Sequence, residues 1–220
     1  MLHIVPTPVG NLEDITLRAL RILKEADLIL AEDTRQTSKL LQHYEIKTQL
    51  SAYHKFNERK SCENIVRQLQ AGKNIALVSD GGTPCISDPG FILVEACVAE
   101  GVEVECLPGA TAFVPALVKS GFDTSEFVFL GFLPHKKGRE TMLKNIANEK
   151  RVVIVYESPF RVVKFLEQAL AILQPERKLA ISREISKKFE ETVYGTTQEL
   201  LQHFTEKEPR GEFVIVIDKL

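Results

Sequence analysis

Short apolar runs alternate with helix-period segments from one end of this 220-residue chain to the other. In the first half, residues 2–5, 28–31, 74–79 and 102–107 have the length and apolar continuity of buried strands. Between them, residues 16–26 set Leu17, Leu20 and Leu23 on one helical face. Residues 57–71 do the same with Ile65, Val66 and Leu69 before Gly72 stops the helix. A further helix is expected over residues 90–100. Strands of this kind, separated by helical crossovers, make a parallel α/β sheet.

The texture changes at residues 120–125, a small and polar link. Beyond it, strands are expected at 127–131, 152–156 and 179–182, with another inside 185–194. Helices are expected after 131, over 160–173 and over 196–205. Residues 213–217 (FVIVI) are apolar without interruption, as a central strand buried on both faces would be. Two α/β domains, 1–119 and 120–220, with a cleft between them fit this order.

Composition narrows the function classes. With 44% hydrophobic and 26% charged residues, the chain is an ordinary globular one. No apolar run is long enough for a membrane span, and the first residues lack a signal peptide's features, so a cytoplasmic protein is expected. The four cysteines form no CxxC pair and the five histidines no HExxH, so no metal is expected. The net charge is −2, which creates no global field toward nucleic acid. The halves differ: residues 1–134 carry 12 basic and 17 acidic side chains, whereas residues 135–220 carry 16 and 13.

Three loops rich in Gly, Pro and small polar residues each follow a predicted strand: residues 6–11, 79–90 and 108–112. Ligands of open α/β sheets bind at the carboxyl ends of strands. Glycines admit a ligand to the backbone, prolines stiffen the loop, and free N–H groups at a helix start favour anions. The twelve-residue SDGGTPCISDPG stretch exceeds an ordinary connection of about 4–6 residues. No GxxxxGK[ST], no GxGxxG after the first strand and no GxSxG are present, which argues against P-loop NTPases, Rossmann dinucleotide or methyltransferase domains, and α/β-hydrolases.

Eight segments occur in a familiar order: TPVGNLEDIT (7–16), AEDTR (31–35), SDGGTPCISDPG (79–90), PGATA (108–112), GFLPHKKGR (131–139), YESPFR (156–161), REISKKFEE (183–191) and RGEF (210–213). Through them the chain resembles, over nearly its whole length, the ribosomal RNA small-subunit methyltransferase I family of the tetrapyrrole (corrin/porphyrin) methylases. The resemblance implies two α/β domains, S-adenosyl-L-methionine as cofactor, a homodimer, and 2′-O-methylation of a cytidine ribose in the decoding region of small-subunit rRNA. The partner would be that rRNA or the small ribosomal subunit. Carried over by position, cofactor contacts fall on Val9, Gly10, Gly81, Gly82, Thr83, Ile86, Thr111 and Ala112, with Tyr156 and Glu184 from the second domain. Gly82 stands where relatives commonly have Ala, and Phe160 where they commonly have His. Many relatives also continue past the FVIVI strand into a helical segment, so RNA is expected to rely on the second domain or the dimer partner here.

Transfer of a methyl group to a ribose hydroxyl calls for an in-line geometry and a group that takes the proton or steadies the developing alkoxide. Asp33, Arg35, Glu157, Arg161, Arg183, Glu184 and Lys187 are candidates. Glu157 and Arg183, which stand at predicted strand ends facing the cleft, lead the catalytic expectation, with Arg35 of the AEDTR loop as the third residue. Lys136, Lys137 and Arg139, with Arg161 and Lys187, are the expected RNA phosphate contacts. Tyr53, His54 and Phe56 are expected to offer stacking faces. Two alternatives remain open: a methylase of a tetrapyrrole-like small molecule on the same fold, and a non-catalytic ribosome-assembly factor.

Overall fold

A computed structural model describes residues 1–220 as two units, Met1–Thr111 and Ala112–Leu220. In the first, β1 (Leu2–Ile4), α1 (Leu17–Glu25), β2 (Leu28–Ala31), α2 (Thr34–His43), β3 (Leu50–Ala52), α3 (Glu58–Gln70), β4 (Ile75–Val78), α4 (Phe91–Ala99) and β5 (Val104–Cys106) follow in turn. The five strands form one parallel sheet in the order β3-β2-β4-β1-β5. Side-chain alternation sorts its core into two layers. Leu28, Leu30, Ile75 and Leu77 meet Ile65, Leu69, Leu93 and Cys97 of α3 and α4. On the other face Ile29, Ala31, Ala76 and Val78 meet Ala19, Ile22, Leu23 and Leu41 of α1 and α2. Both faces of this sheet are covered by helices.

The second unit contains α5 (Phe113–Ser120), β6 (Phe127–Phe132), α6 (Arg139–Ala147), β7 (Val152–Glu157), α7 (Val162–Leu170), β8 (Lys178–Arg183), β9 (Glu191–Thr196), α8 (Thr197–Glu206) and β10 (Phe213–Ile217). Its sheet runs β6-β7-β10-β8-β9, with β6 and β7 parallel and every other neighbour antiparallel. As its sequence foretells, β10 is central and buried along its whole length. One face carries the core, where Val153, Val155, Ile181, Phe213 and Ile215 pack on α6, α7 and α8. On the opposite face α5 lies over β8 and β10. That packing is why the boundary falls at 111/112 rather than at 119/120.

Two elements escape the periodicity argument. Helix α2 buries only Thr37, Leu40 and Leu41, and β3 is a three-residue edge strand, half-buried at Leu50 and exposed at Ser51 and Ala52. No helix is long and apolar enough to cross a membrane.

Candidate functional site

The order β4-β1-β5 sets three Gly/Pro loops side by side, because parallel strands end at the same sheet edge. Backbone contacts tie the loops together. The Thr7 N–H donates to the Gly82 carbonyl at 2.9 Å and the Gly82 N–H returns to the Thr7 carbonyl at 2.8 Å. The buried Thr7 hydroxyl donates to the Ser79 carbonyl at 3.1 Å, and the Thr83 hydroxyl to the Ala110 carbonyl at 3.0 Å. Approach is close enough to leave no room for a side chain at Gly109 and little at Gly81. A Cβ at Gly109 would lie 2.6 Å from Pro6 Cβ, and one at Gly81 would lie 3.2 Å from the Pro8 carbonyl oxygen. Cys85 and Ser87 are both held at positive φ inside the long loop, a costly backbone state that surrounding contacts must enforce.

Of the residues expected to meet a cofactor, Gly10, Gly81 and Ile86 are exposed on these loops. Val9, Thr83, Thr111 and Ala112 are half-buried. Gly82 is buried and both of its backbone polar groups are taken by Thr7, so it braces the wall instead of offering hydrogen bonds. Ala112 opens α5 without a side-chain cap, leaving its first N–H groups available.

The loop after β2 joins the same edge. The Asp33 N–H donates to Asp80 Oδ1 at 3.0 Å, and the Glu32 carboxylate accepts the Asp80 N–H. Asp33 caps α2 through the Arg35 N–H and pairs with the Arg35 guanidinium at 2.6 Å. Those two bonds from Arg35 bring the Asp33 carboxyl down to about 2, too acidic for a proton acceptor. Glu32 behaves oppositely: burial first, then the Asp80 charge, pushes its carboxyl up. Glu32 is not among the residues the sequence singles out. The available signal was its place directly after a fully buried strand.

In the second unit Glu157 is a hub. Its side chain is 0% exposed, accepts from Arg139 Nη2 at 3.0 Å and from the Ser158 N–H at 2.8 Å, and forms an ion pair with Arg161 Nε at 2.7 Å. Both carboxylate oxygens are occupied, so Glu157 positions guanidiniums rather than taking a substrate proton. Arg139 also departs from expectation. Its side chain is 4% exposed and bonds Gln168 and the Pro134 carbonyl besides Glu157, so it cannot touch an RNA phosphate. Lys136 and Lys137 beside it are exposed. Arg161 keeps partial exposure and reaches the Leu133 carbonyl.

The third expected cluster is internally neutralised. Arg183 pairs with Glu191 at 2.7 Å. Lys187 sits between Glu184 at 2.9 Å and Glu212 at 2.7 Å, which removes it as an independent phosphate contact. Burial would raise the Glu184 carboxyl, but the Lys187 ammonium and the Glu212 N–H outweigh it and hold the carboxyl low. Glu184, at positive φ, therefore fastens a tight turn. Tyr53 is fully buried and cannot stack on a base, whereas Phe56 is open to solvent and His54 half-buried. No group of three or more His, Cys, Asp or Glu side chains is placed to hold a metal ion.

Residues 1–215 match the model of the tetrapyrrole (corrin/porphyrin) methylases. Among curated proteins, the chain is 48% identical to the ribosomal RNA small subunit methyltransferase I of Synechocystis sp., over 99% of this chain and 78% of that one. It is 47% identical to the protein of the same name from Thermotoga maritima, over 98% and 97% respectively. The fold is that of the methyltransferase CobJ (TM-score 0.74, 18% identity, 99% and 93% covered). It is also that of a Thermus thermophilus uroporphyrin-III C-methyltransferase complexed with S-adenyl homocysteine (TM-score 0.68, 20% identity, 99% and 96% covered). The parallel sheet with its glycine-walled edge, the mixed second sheet and these identities have one explanation: the chain belongs to the tetrapyrrole (corrin/porphyrin) methylases, within the ribosomal RNA small subunit methyltransferase I family.

Proposed function

We propose that the chain transfers a methyl group from S-adenosylmethionine to a ribose 2′-hydroxyl of small-subunit rRNA, at a cytidine of the decoding region. The observation that carries the proposal is the 47–48% identity, across nearly the whole chain, to relatives named for that rRNA. The named relatives are bacterial, and ribosomal RNA of bacteria is modified in the cytoplasm, which supports a cytoplasmic location.

The loop edge of the first unit fits the cofactor. Bare backbone at Gly10 and Gly81 admits close approach, and the exposed Ile86 side chain offers an apolar contact. S-adenosylmethionine would supply a methyl group made electrophilic by its sulfonium. The chain supplies the proton acceptor, and Glu32 is the acid suited to it. Its raised carboxyl holds a proton more firmly than an ordinary glutamate, whereas Asp33 and Glu184 are held low and Glu157 is saturated.

The working form is a homodimer that covers α4. This helix is apolar at every position except Glu95, yet Phe91 and Val98, which flank Glu95 on one face, stand open to solvent. A Val98→Glu variant should sediment as a monomer; an unchanged dimer would move the interface elsewhere.

The test of function is incubation of the purified chain with small ribosomal subunits and methyl-labelled S-adenosylmethionine. Label should enter the rRNA at one nucleotide whose 3′ linkage resists alkali, since a 2′-O-methyl ribose cannot cyclise. Label entering only a precorrin-type substrate would make the chain a small-molecule methylase. Cofactor binding without any transfer would make it an assembly factor.

A further inference from the structure

The β6–β7 end of the second sheet carries rings on the face away from the α6–α8 core. Strand β6 alternates normally through Phe129, which pairs with Ile154. One extra residue then interrupts the ladder, so that Gly131 pairs with Val155 and Phe132 with Tyr156. Without that bulge Phe132 would point into the core. With it, Phe127, Phe129 and Phe132 all register with Val152, Ile154 and Tyr156 on the outer face, while Leu130 and Leu133 meet the core.

The rings are ordered among themselves. Phe113, in the first turn of α5, stacks on Phe129 with centroids 4.7 Å apart and 25° between planes. Tyr156 meets Phe129 edge-on at 5.0 Å and Phe132 at 5.5 Å. Phe127 and Phe132 nonetheless remain 41% and 52% exposed. The Arg161 guanidinium lies 6.0 Å from the Phe132 centroid and is fixed there by Glu157 at 2.7 Å.

We infer that this surface, centred on Phe132 and Arg161, is a stacking platform for an unpaired base of the RNA. The inference deepens the rRNA methyltransferase proposal and rests on it. Unpaired bases are recognised by stacking on aromatic rings and guanidinium planes while cations take the phosphates. Both elements are present together. Strands β6 and β7 are parallel, so their carboxyl ends bring Lys136 and Lys137 from one loop and Arg161 from the other to a common rim. Residues 127–139 contain no acidic side chain, and the one carboxylate beneath them, Glu157, is buried and neutralised by two arginines. A second copy docked here about a two-fold axis would bring like charges together. A polyanion with open π-faces has no such conflict.

The test uses the full chain, a short fluorescent single-stranded oligoribonucleotide and its fully paired duplex. Phe132→Ala should weaken single-strand binding roughly 5- to 100-fold while leaving duplex binding and the salt slope unchanged. Phe132→Trp should restore the affinity. On small subunits, Phe132→Ala should raise KM with kcat near wild type, because stacking is made equally in ground and transition states. Unchanged single-strand affinity would overturn the platform. So would a loss of S-adenosylmethionine affinity instead, which makes the rings a cofactor wall, or conversion of dimer to monomer, which makes them an interface. If wild type methylates rRNA and Phe132→Ala is silent, only the platform fails. If Phe132 governs single-strand binding but no rRNA is methylated, the proposed function fails instead.

Discussion

The two sheets solve the same problem in different ways. In the first unit, helices cover both faces, and what remains for chemistry is an edge made of backbone: glycines packed closely against neighbouring loops, and carbonyls and N–H groups paired between loops. In the second unit, helices cover one face fully and α5 covers part of the other. What remains there is made of side chains, namely rings along β6 and guanidiniums gathered on Glu157. A backbone site is sensitive to shape and indifferent to salt. A side-chain site of cations and rings is tolerant of shape and sensitive to salt. The difference can be broken by mutation.

The largest expected effect is on rate in the first unit. If Glu32 accepts the proton, Glu32→Gln should lower kcat by roughly 10²–10⁴. An acceptor must be ionised, so wild-type kcat/KM should fall on acidification at a higher pH than an ordinary glutamate would give, and the variant should lose that limb. Stability has the opposite sign. A carboxyl that holds its proton more tightly when folded costs stability as pH rises through its raised value. Glu32→Gln should therefore be neutral or stabilising at neutral pH, and a variant that is merely unfolded would contradict the assignment.

Next comes the ion-pair hub of the second unit. Glu157→Gln leaves the buried Arg139 without its counter-charge and should cost about 3–5 kcal/mol, read as a lower urea midpoint. A shift under about 1 kcal/mol would mean that Gln168 and the Pro134 carbonyl suffice for Arg139. A smaller effect is expected at the glycine wall. Gly81→Leu should weaken S-adenosylmethionine binding roughly 5- to 150-fold by overpacking the approach to Pro8, with the fold intact. Calorimetric affinity equal to wild type would remove this loop from the cofactor site. The smallest effect is electrostatic. Changing Lys136 and Lys137 to Gln should flatten the salt dependence of RNA binding by roughly 0.7–0.9 units of log–log slope per lost contact. Cofactor affinity should stay put across the same salt range.

The first unit was legible in the sequence because its devices are local. A Gly/Pro-rich loop directly after an apolar run announces itself, and parallel strands bring such loops to one edge without further information. FVIVI likewise could only be central. The second unit's site was harder to read because it depends on distant partners. Lys136-Lys137-Gly138-Arg139 looks like one basic run, but Gly138 at positive φ turns the chain into α6 and Arg139 goes inward, to Gln168 and Glu157. Nothing in six residues of YESPFR says that its glutamate will be saturated. The bulge in β6 hides Phe132 in the same way, since strict alternation would assign it to the core. Helix α2 has little sequence signature because Thr34, Thr37 and Ser38 dilute an apolar stripe reduced to Leu40 and Leu41.

The bridge between Thr7 and Gly82 is the sheet edge's only antiparallel pair, two hydrogen bonds in a setting where every ladder runs parallel. It behaves as a clasp that closes before any ligand arrives. A loop of twelve residues left free would lose much of its conformational entropy on capturing a small molecule. With Thr7 and Gly82 already joined, and Thr83 already bonded to Ala110, that ordering has been completed during folding. On the proposed reading the first unit would meet its ligand as a rigid mould, and the freedom to adapt to a large, variable RNA would be left to the side chains of the second.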